Sequence, residues 1–326
     1  MSHLEPPEYD LRGSRHRARH DADRHEQLAA PDGYPFEAFP EGDAPVSPVP
    51  APVPPAGRAG RNLPAAIAVG LTLGGLVLAS LLFWRPAFVL VAGAAAAVGV
   101  WEMVRAAARD GGPRAPLVPL LGGCVVMAAL AWFAGAEALT LGLALTVLAA
   151  MIWRLADGPQ GYQRDLLVTV LIAVYVPFLA GFAVLLARSA HGDLRVIATL
   201  ASVVLSDTGG YVAGVFFGRH PMAPTVSPKK SWEGTAGSLV ITAIGGALMF
   251  HFLFHVPWWH GVLFGLGVSA AAVLGDLAES LLKRDLRIKD MSHLLPGHGG
   301  LMDRLDSILF AAPTAFVLFS VLVPAG

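Results

Sequence analysis

The residues with the clearest chemical potential are acidic side chains that interrupt otherwise apolar segments in the C-terminal half. The last four of them form two pairs at i, i+3 spacing, which places each pair on one face of a helix. An isolated charge in such a segment costs about 2.5–3.5 kcal/mol on membrane-insertion scales, so these residues need partners or a function. They are Asp207, Asp276, Glu279, Asp303 and Asp306.

Two interpretations of these carboxylates are open. Several carboxylates that converge on one pocket suit a hard divalent cation, which prefers oxygen ligands. Alternatively, Asp276 and Glu279 are neutralised inside a helix bundle by Lys283, which follows one turn later. The second acidic pair, just before the last apolar segment, favours the metal interpretation.

Two polar loops carry cationic residues that suit polyphosphate. In the loop 218–233, Lys229 and Lys230 follow Ser227 and a proline, although two lysines alone are also typical of a cytoplasmic flank. The loop 283–304 contains five Lys and Arg residues and the turn PGHGG at 296–300. Glycines there allow backbone N–H groups to approach an anion at a helix N-terminus. His298 either donates to a phosphate or braces the turn.

Several common sites are excluded. The lone cysteine, Cys124, rules out a disulfide scaffold and a cysteine-based zinc site. The sequence has no GxxxxGK[ST] loop, no HExxH and no GxSxG, which argues against P-loop, metalloprotease and serine-hydrolase sites. A net charge of −1 gives no general attraction for nucleic acid.

The elements that position these residues are apolar segments. The chain of 326 residues is 55% hydrophobic and 14% charged, with a mean hydropathy of +0.58, and a water-soluble domain would carry about 25% charged residues. Runs of about 20 apolar residues are long enough to cross a bilayer. The sequence therefore predicts an all-α, polytopic membrane bundle of nine transmembrane helices, near 64–84, 87–104, 116–134, 136–153, 166–187, 196–217, 234–254, 262–282 and 305–324.

The distribution of Lys and Arg predicts the orientation. With the N-terminus in the cytoplasm, only Arg85, Arg188 and Arg195 of the 23 cationic residues fall outside. Both polar loops then face the cytoplasm, as expected for a multi-pass protein of the inner membrane. Glu102, three residues before Arg105 near a cytoplasmic helix end, is interpreted as half of an interfacial ion pair.

Three regions are predicted. Residues 1–62 are rich in charge and proline and show no apolar periodicity, which is typical of a disordered cytoplasmic tail. Residues 63–188 carry almost nothing polar at membrane depth and indicate scaffold helices. Residues 189–326 contain the acidic pairs and both polar loops, and are predicted to form the catalytic region.

The motifs in this region resemble those of phosphatidate cytidylyltransferases, also called CDP-diacylglycerol synthases. The resemblance is carried by SLLKR at 280–284, KD at 289–290, PGHGG at 296–300 and DRLD at 303–306. Two earlier motifs, SDTGGY at 206–211 and SPKKSWEG at 227–234, are also similar, with glycine at 210 and serine at 231 where alanine and threonine are expected.

The resemblance implies that CTP and phosphatidic acid give CDP-diacylglycerol and pyrophosphate, with Mg²⁺ required and a homodimer possible. It implies catalytic roles for Asp276, Lys283, Asp303 and Arg304. The metal ligands would be Asp207, Asp276, Asp303 and Asp306. Substrate-binding residues would be Ser206, Ser227, Lys229, Lys230, Arg284, Lys289, Gly297, His298, Gly299 and Gly300.

Two other functions are weighed against this one. A CTP-dependent kinase for a lipid alcohol such as a polyprenol would release CDP instead of pyrophosphate. A proton-coupled transporter would spread its charged residues across the membrane depth or show an internal repeat. The charges cluster on one side and no repeat is visible, which argues against the transporter. The released product, pyrophosphate or CDP, distinguishes the favoured synthase from the kinase.

Overall fold

The structure, a computed structural model, describes residues 63–292, 294–295 and 299–323, with side chains from Ala68 onward. The predicted N-terminal tail therefore lies outside the described residues, as do Gly297 and His298. The described helices belong to a single compact unit. The boundary at 188/189 between scaffold and catalytic regions stays a prediction.

The predicted all-α fold is confirmed. The described part of the chain contains nine helices, and seven of them are long and apolar enough to cross a membrane. The two shorter apolar helices are Ala68–Phe83, within the first, and Leu117–Phe133. The helices are α1 (Leu63–Phe83), α2 (Arg85–Ala107), α3 (Leu117–Phe133), α4 (Ala136–Leu155), α5 (Tyr162–Arg188), α6 (Gly192–Phe217), α7 (Trp232–Leu253), α8 (Trp258–Asp285) and α9 (Met302–Leu322).

Several helices are longer than the predicted spans. Helix α8 continues to Asp285 and carries Lys283 and Arg284 in its last turn. Helix α9 begins at Met302, just before the acidic pair Asp303 and Asp306. Hydropathy marks only the apolar part of a helix, whereas the backbone ladder continues through polar turns at either end. The acidic pairs are thus helical over their whole length.

Helix α5 contains a π-helical stretch at Val174–Phe178, around Pro177. Proline lacks an N–H and crowds the preceding turn, so a local widening of the helix absorbs the missing hydrogen bond. The flanking α-helical segments, Tyr162–Ala173 and Leu179–Arg188, remain one continuous apolar span.

A short hairpin follows α6 and was not predicted from the sequence. Strands β1 (Pro221–Ala223) and β2 (Ser227–Ser231) pair antiparallel, and β2 leads directly into α7. Ser231 is the N-cap of α7, where its side chain accepts a hydrogen bond from the Gly234 N–H at 3.1 Å. This polar hairpin is therefore attached rigidly to a membrane helix.

The last four helices pack closely because small residues face one another. At the α6–α7 contact, a Cβ added to Gly209 would lie 2.8 Å from the Gly237 carbonyl oxygen. At the α7–α8 contact, a Cβ on Gly261 would lie 2.1 Å from the Gly246 oxygen. Small residues permit such close backbone approach between membrane helices.

Opposite ends of the bundle differ in chemistry. At one end, Arg85 pairs with Asp193 at 2.7 Å, and Arg195 donates to the Val323 oxygen at 2.9 Å. Helix α6 runs from there to the hairpin, a distance of about 39 Å for its 26 residues at 1.5 Å per residue. At the hairpin end, Arg284 Nε donates to the Val226 oxygen at 3.2 Å, so both predicted polar loops lie together.

Candidate functional site

A polar cavity of about 500 Å³ lies at the hairpin end of the bundle. It is lined by the C-terminal halves of α6 and α8, the first turns of α7 and α9, and the strand β2. The cavity brings together nine residues that the sequence singled out: Ser206, Asp207, Lys229, Lys230, Asp276, Lys283, Asp303, Arg304 and Asp306.

The hairpin contacts the cavity through a lysine–carboxylate pair. Lys230 Nζ lies 2.6 Å from Asp276 Oδ2, and both side chains are partly buried. Asp276 Oδ1 also accepts a hydrogen bond from Ser280 Oγ at 3.3 Å. The pair joins β2 to α8, so a cation from one polar loop neutralises an acid in the membrane helix.

The base of the hairpin is tied to the start of α7. The carboxylate of Glu233 accepts hydrogen bonds from the backbone N–H groups of Arg219 and His220, each at 3.2 Å, and pairs with the His220 ring at 2.5 Å. Glu233 thus closes the loop that begins where α6 ends. This closure fixes where β2 presents its lysines.

Lys283 lies between two carboxylates from different helices. Its Nζ donates to Glu279 Oε2 at 3.0 Å and to Asp303 Oδ1 at 2.9 Å. Buried charges persist only when they are paired and hydrogen bonded, and this arrangement satisfies both. The neutralisation of Glu279 by Lys283, one of the two interpretations from the sequence, is therefore present, and it extends to Asp303 on α9.

Asp303 also holds the backbone before α9. Its Oδ2 accepts hydrogen bonds from the Gly300 N–H at 2.7 Å and from the Met291 N–H at 3.2 Å. The backbone donor of Gly300 is thus directed at Asp303 within the protein. Gly299, at φ +77°, provides the left-handed backbone of this turn, a conformation that favours glycine.

The remaining acids face the same cavity. Asp207 and Asp306 line it, and Asp306 lies close to the carboxyl groups of Glu279 and Asp276. Glu279 is fully buried, and no hydrogen-bond donor among the described residues reaches its Oε1. Two carboxyl groups this close need a proton or a cation between them.

The arrangement as described is not a preformed metal centre. Within residues 63–292, 294–295 and 299–323, no three His, Cys, Asp or Glu side chains are grouped tightly enough to hold an ion. The ammonium groups of Lys230 and Lys283 lie against the carboxylates instead. The donor set itself consists of carboxylate oxygens, the ligands that Mg²⁺ prefers.

Other sequence-predicted residues lie away from the cavity. Of the described part of the chain, Ser227, Arg284, Lys289, Gly299 and Gly300 are not among the residues that line it. Arg284 binds the hairpin backbone, and Ser227 pairs with Ala223 within the hairpin.

Ser206 differs from the other predicted residues of the cavity, because its hydroxyl group is not exposed there. It lines the cavity, but its hydroxyl is buried and hydrogen bonds to Ser269 Oγ at 2.8 Å, while its carbonyl accepts from Ser238 Oγ at 2.6 Å. Ser206 thus links α6 to both α8 and α7.

The interpretation of Glu102 as an interfacial ion-pair residue is wrong. Arg105 instead lies over the ring of Trp101, 4.5 Å from its centroid. Glu102 is buried and accepts hydrogen bonds from Ser292, Leu301 and Met302, at the start of α9. In the sequence, the one sign of this role is an acidic residue within an apolar helix. Its spacing to Arg105 suggested an ion pair that does not form.

Comparisons with known proteins identify the family of the chain. The sequence model of the Cytidylyltransferase family matches residues 64–322. A curated phosphatidate cytidylyltransferase of Mycobacterium leprae is 44% identical over 281 residues, which cover 81% of this chain and 90% of that protein.

Further relatives carry the same name. The one from Mycobacterium tuberculosis is 43% identical over 278 residues, or 81% of this chain and 84% of its own length. One from Haemophilus influenzae is 38% identical over 128 residues, or 38% of this chain and 44% of its own length. Because the family match extends through all nine helices and the mycobacterial relatives are covered over most of their length, this chain belongs to the phosphatidate cytidylyltransferase family.

Proposed function

We propose that this protein transfers CMP from CTP to phosphatidic acid and releases pyrophosphate. The observation that carries the proposal is one cavity in which cationic side chains from a polar hairpin and from α9 meet carboxylates from three membrane helices. A site of this kind suits two polyanionic substrates, one of which is a lipid. The family membership and the names of the relatives support the same reaction.

The exposure of α6 supports a lateral route for the lipid. Asp207 and Tyr211 line the cavity one turn apart, and Tyr211 is 73% exposed. Asp207 lies ten residues before the end of α6, so this opening extends about 15 Å into the bundle. We infer that the phosphatidate headgroup enters from the inner leaflet while its acyl chains stay in the bilayer.

The chemistry is a nucleotidyl transfer. A phosphate oxygen of phosphatidate forms a bond to the α-phosphorus of CTP, and the bond from that phosphorus to the pyrophosphate oxygen breaks. The attacking phosphate is already ionised near neutral pH, so no general base is required. The protein's task is to neutralise two approaching anions and align them, and the cationic side chains of Lys229, Lys230 and Arg304 line the cavity in which this occurs.

Mg²⁺ is part of the proposal. The donor set suits such an ion in its chemistry, because it consists of carboxylate oxygens, and binding would require the ammonium groups of Lys230 and Lys283 to move away from Asp276 and Asp303. Asp207, Asp276, Asp303 and Asp306 would hold it, with Asp303 constrained by the hydrogen bonds that it already accepts. When bound, the ion would neutralise charge on the attacking and leaving oxygens.

The setting of the reaction is also a proposal. We place the protein in the inner membrane with its N-terminus and the hairpin end in the cytoplasm, where CTP is available. Support comes from the Lys and Arg distribution together with the separation of Arg85 and Arg195 from the cavity end. A homodimer, implied by the family resemblance, stays a prediction.

The test is an assay of the purified protein in detergent with CTP, phosphatidic acid and Mg²⁺. We expect pyrophosphate release that is stoichiometric with CDP-diacylglycerol formation and that stops when EDTA removes the metal. Release of CDP with a polyprenol acceptor would instead identify a lipid-alcohol kinase. Absence of any CTP consumption with an intact, folded protein would overturn the proposal.

A further inference from the structure

Glu102 forms a contact that joins the scaffold helices to the beginning of α9. It lies near the C-terminal end of α2 and is 1% exposed. Its Oε1 accepts hydrogen bonds from Ser292 Oγ at 2.5 Å and from the Leu301 N–H at 3.0 Å, and its Oε2 accepts from the Met302 N–H at 2.7 Å. N–H groups at a helix start have no acceptor within the helix. Glu102 therefore caps α9 from 200 residues away in sequence.

The residues around the Glu102 carboxylate are also closely packed. A Cβ added to Gly300 would lie 2.8 Å from Glu102 Oε2, so the carboxylate occupies the space that a side chain would need. Gly99, on the same face of α2, would place a Cβ 3.5 Å from Met302 Sδ. Met302 is fully buried. The first turn of α9 is thus held against α2 in one position.

The residues that Glu102 holds adjoin the candidate site. Asp303, Arg304 and Asp306 follow within the first turn and a half of α9, and all three line the cavity. Asp303 Oδ2 accepts the Gly300 N–H, so two carboxylates clamp the backbone between 300 and 302 from two sides. A slip or rotation of this turn would move every α9 side chain in the cavity together.

We infer that Glu102 is a positioning residue for the nucleotidyl-transfer site. A buried carboxylate in an apolar helix is unfavourable unless its hydrogen bonds compensate for desolvation, and the donors to Glu102 are Ser292, Leu301 and Met302, in the segment that leads into α9. Glu102 touches no reacting group in this arrangement; it acts through the orientation of Asp306 and Arg304. The kinetic part of this inference rests on the proposed function.

The kinetic test compares Glu102→Ala and Glu102→Gln with the wild type in the pyrophosphate-release assay. We expect Glu102→Ala to lower kcat by about 10²-fold with little change in the KM for CTP, because misplaced groups lose contacts made in the transition state. Glu102→Gln retains one carbonyl acceptor for the helix N–H groups and should recover part of that loss. The control is Asp165→Asn, because Asp165 is also buried and also accepts a backbone N–H, from Arg114, whereas its ion-pair partner is Arg154 in α4.

Hydrogen–deuterium exchange gives a second test that is independent of activity. In Glu102→Ala, exchange should rise in peptides that contain Leu301 and Met302 and stay unchanged in α3 and α4. If exchange there is unchanged, or if Asp165→Asn lowers kcat by the same factor at an equal loss of thermal stability, the inference is overturned. If the wild type releases no pyrophosphate, the proposed reaction fails, whereas the exchange data still decide whether Glu102 holds α9.

A milder variant covers the case in which Glu102→Ala does not fold. Ser292→Ala removes one donor to Glu102 and leaves both helix N–H groups in place. We expect a smaller loss of kcat in the same direction, and nearly no further loss when it is combined with Glu102→Gln, since the two residues act through one contact. Additive losses in the double variant would contradict the inference.

Discussion

At the scale of single residues, the cavity is defined by carboxylates that are paired with ammonium groups. Lys283 joins Glu279 to Asp303, and Lys230 pairs with Asp276. Breaking one partner of a buried pair leaves an uncompensated charge and is more harmful than the pair is stabilising. Each of these acids therefore contributes to local structure as well as to the proposed chemistry.

Asp276 offers the sharpest test at this scale, because it pairs with the hairpin at a partly exposed position. Asp276→Asn preserves the shape of the side chain and removes its charge. We expect turnover to fall by about 10²–10³-fold, since a proposed ligand of the charge-neutralising Mg²⁺ is lost. Initial rates against CTP and Mg²⁺ concentration would measure it.

The matched control for this substitution is Glu137→Gln, at an exposed position at the start of α4. Its turnover should equal that of the wild type. Normal turnover in Asp276→Asn, with membrane insertion intact, would remove Asp276 from the proposed site.

At the scale of elements, the close approach of α6 and α7 decides where the cavity walls lie. Gly209 and Gly237 face each other across this contact. Helix α6 carries Asp207, and α7 is continuous with the strand that carries Lys230. The distance between these two helices therefore sets the distance between Asp207 and Lys230.

Gly237→Ala tests this contact. The added Cβ would lie 2.2 Å from Ala213 Cβ and 2.9 Å from the Gly209 oxygen, so the helices must separate. We expect a loss of about 1–3 kcal/mol in stability from overpacking, together with reduced turnover. Thermal denaturation in detergent and the pyrophosphate assay would measure the two effects.

Gly122→Ala is the control for this substitution, because no atom lies within 4 Å of the added Cβ on α3. It should leave both stability and turnover near wild-type values. An equal effect of the two substitutions would show that helix separation is not the cause.

At the scale of the whole molecule, the cavity and the arginines predicted to lie outside occupy opposite ends of the bundle. Arg85 and Asp193 form an ion pair at one end, whereas α6 ends at the hairpin. If each of the nine helices crosses the bundle once, α1 and α9 begin at the same end of it. The proposed orientation follows if that end is cytoplasmic.

Cysteine labelling tests this orientation. The lone cysteine, Cys124, is buried, and the substitution Cys124→Ala provides a cysteine-free background for labelling. We expect Asp285→Cys, beside the cavity, to react with a membrane-impermeant maleimide only after the membrane is opened. Ala190→Cys, at the exposed turn between α5 and α6, should react in intact cells. The reverse labelling pattern would place the cavity outside and refute access to cytoplasmic CTP.

Much of this protein was determined by the sequence alone. Apolar segments long enough to cross a bilayer fix helices locally, because unsatisfied backbone groups are too costly in hydrocarbon. The i, i+3 spacing of the acids fixes which of them share a helix face. These local rules were sufficient to predict the helical bundle and four acidic residues of the cavity, Asp207, Asp276, Asp303 and Asp306.

Only the tertiary structure decided which partners those residues have. The pairing of Lys283 with Asp303, the contact of Lys230 with Asp276 and the capping of α9 by Glu102 all join distant segments. No local spacing encodes such contacts, since they depend on how closely the helices pack and on which face each one presents. Glu102 shows this most clearly, because its nearest charged neighbour in sequence suggested a partner that the fold does not use.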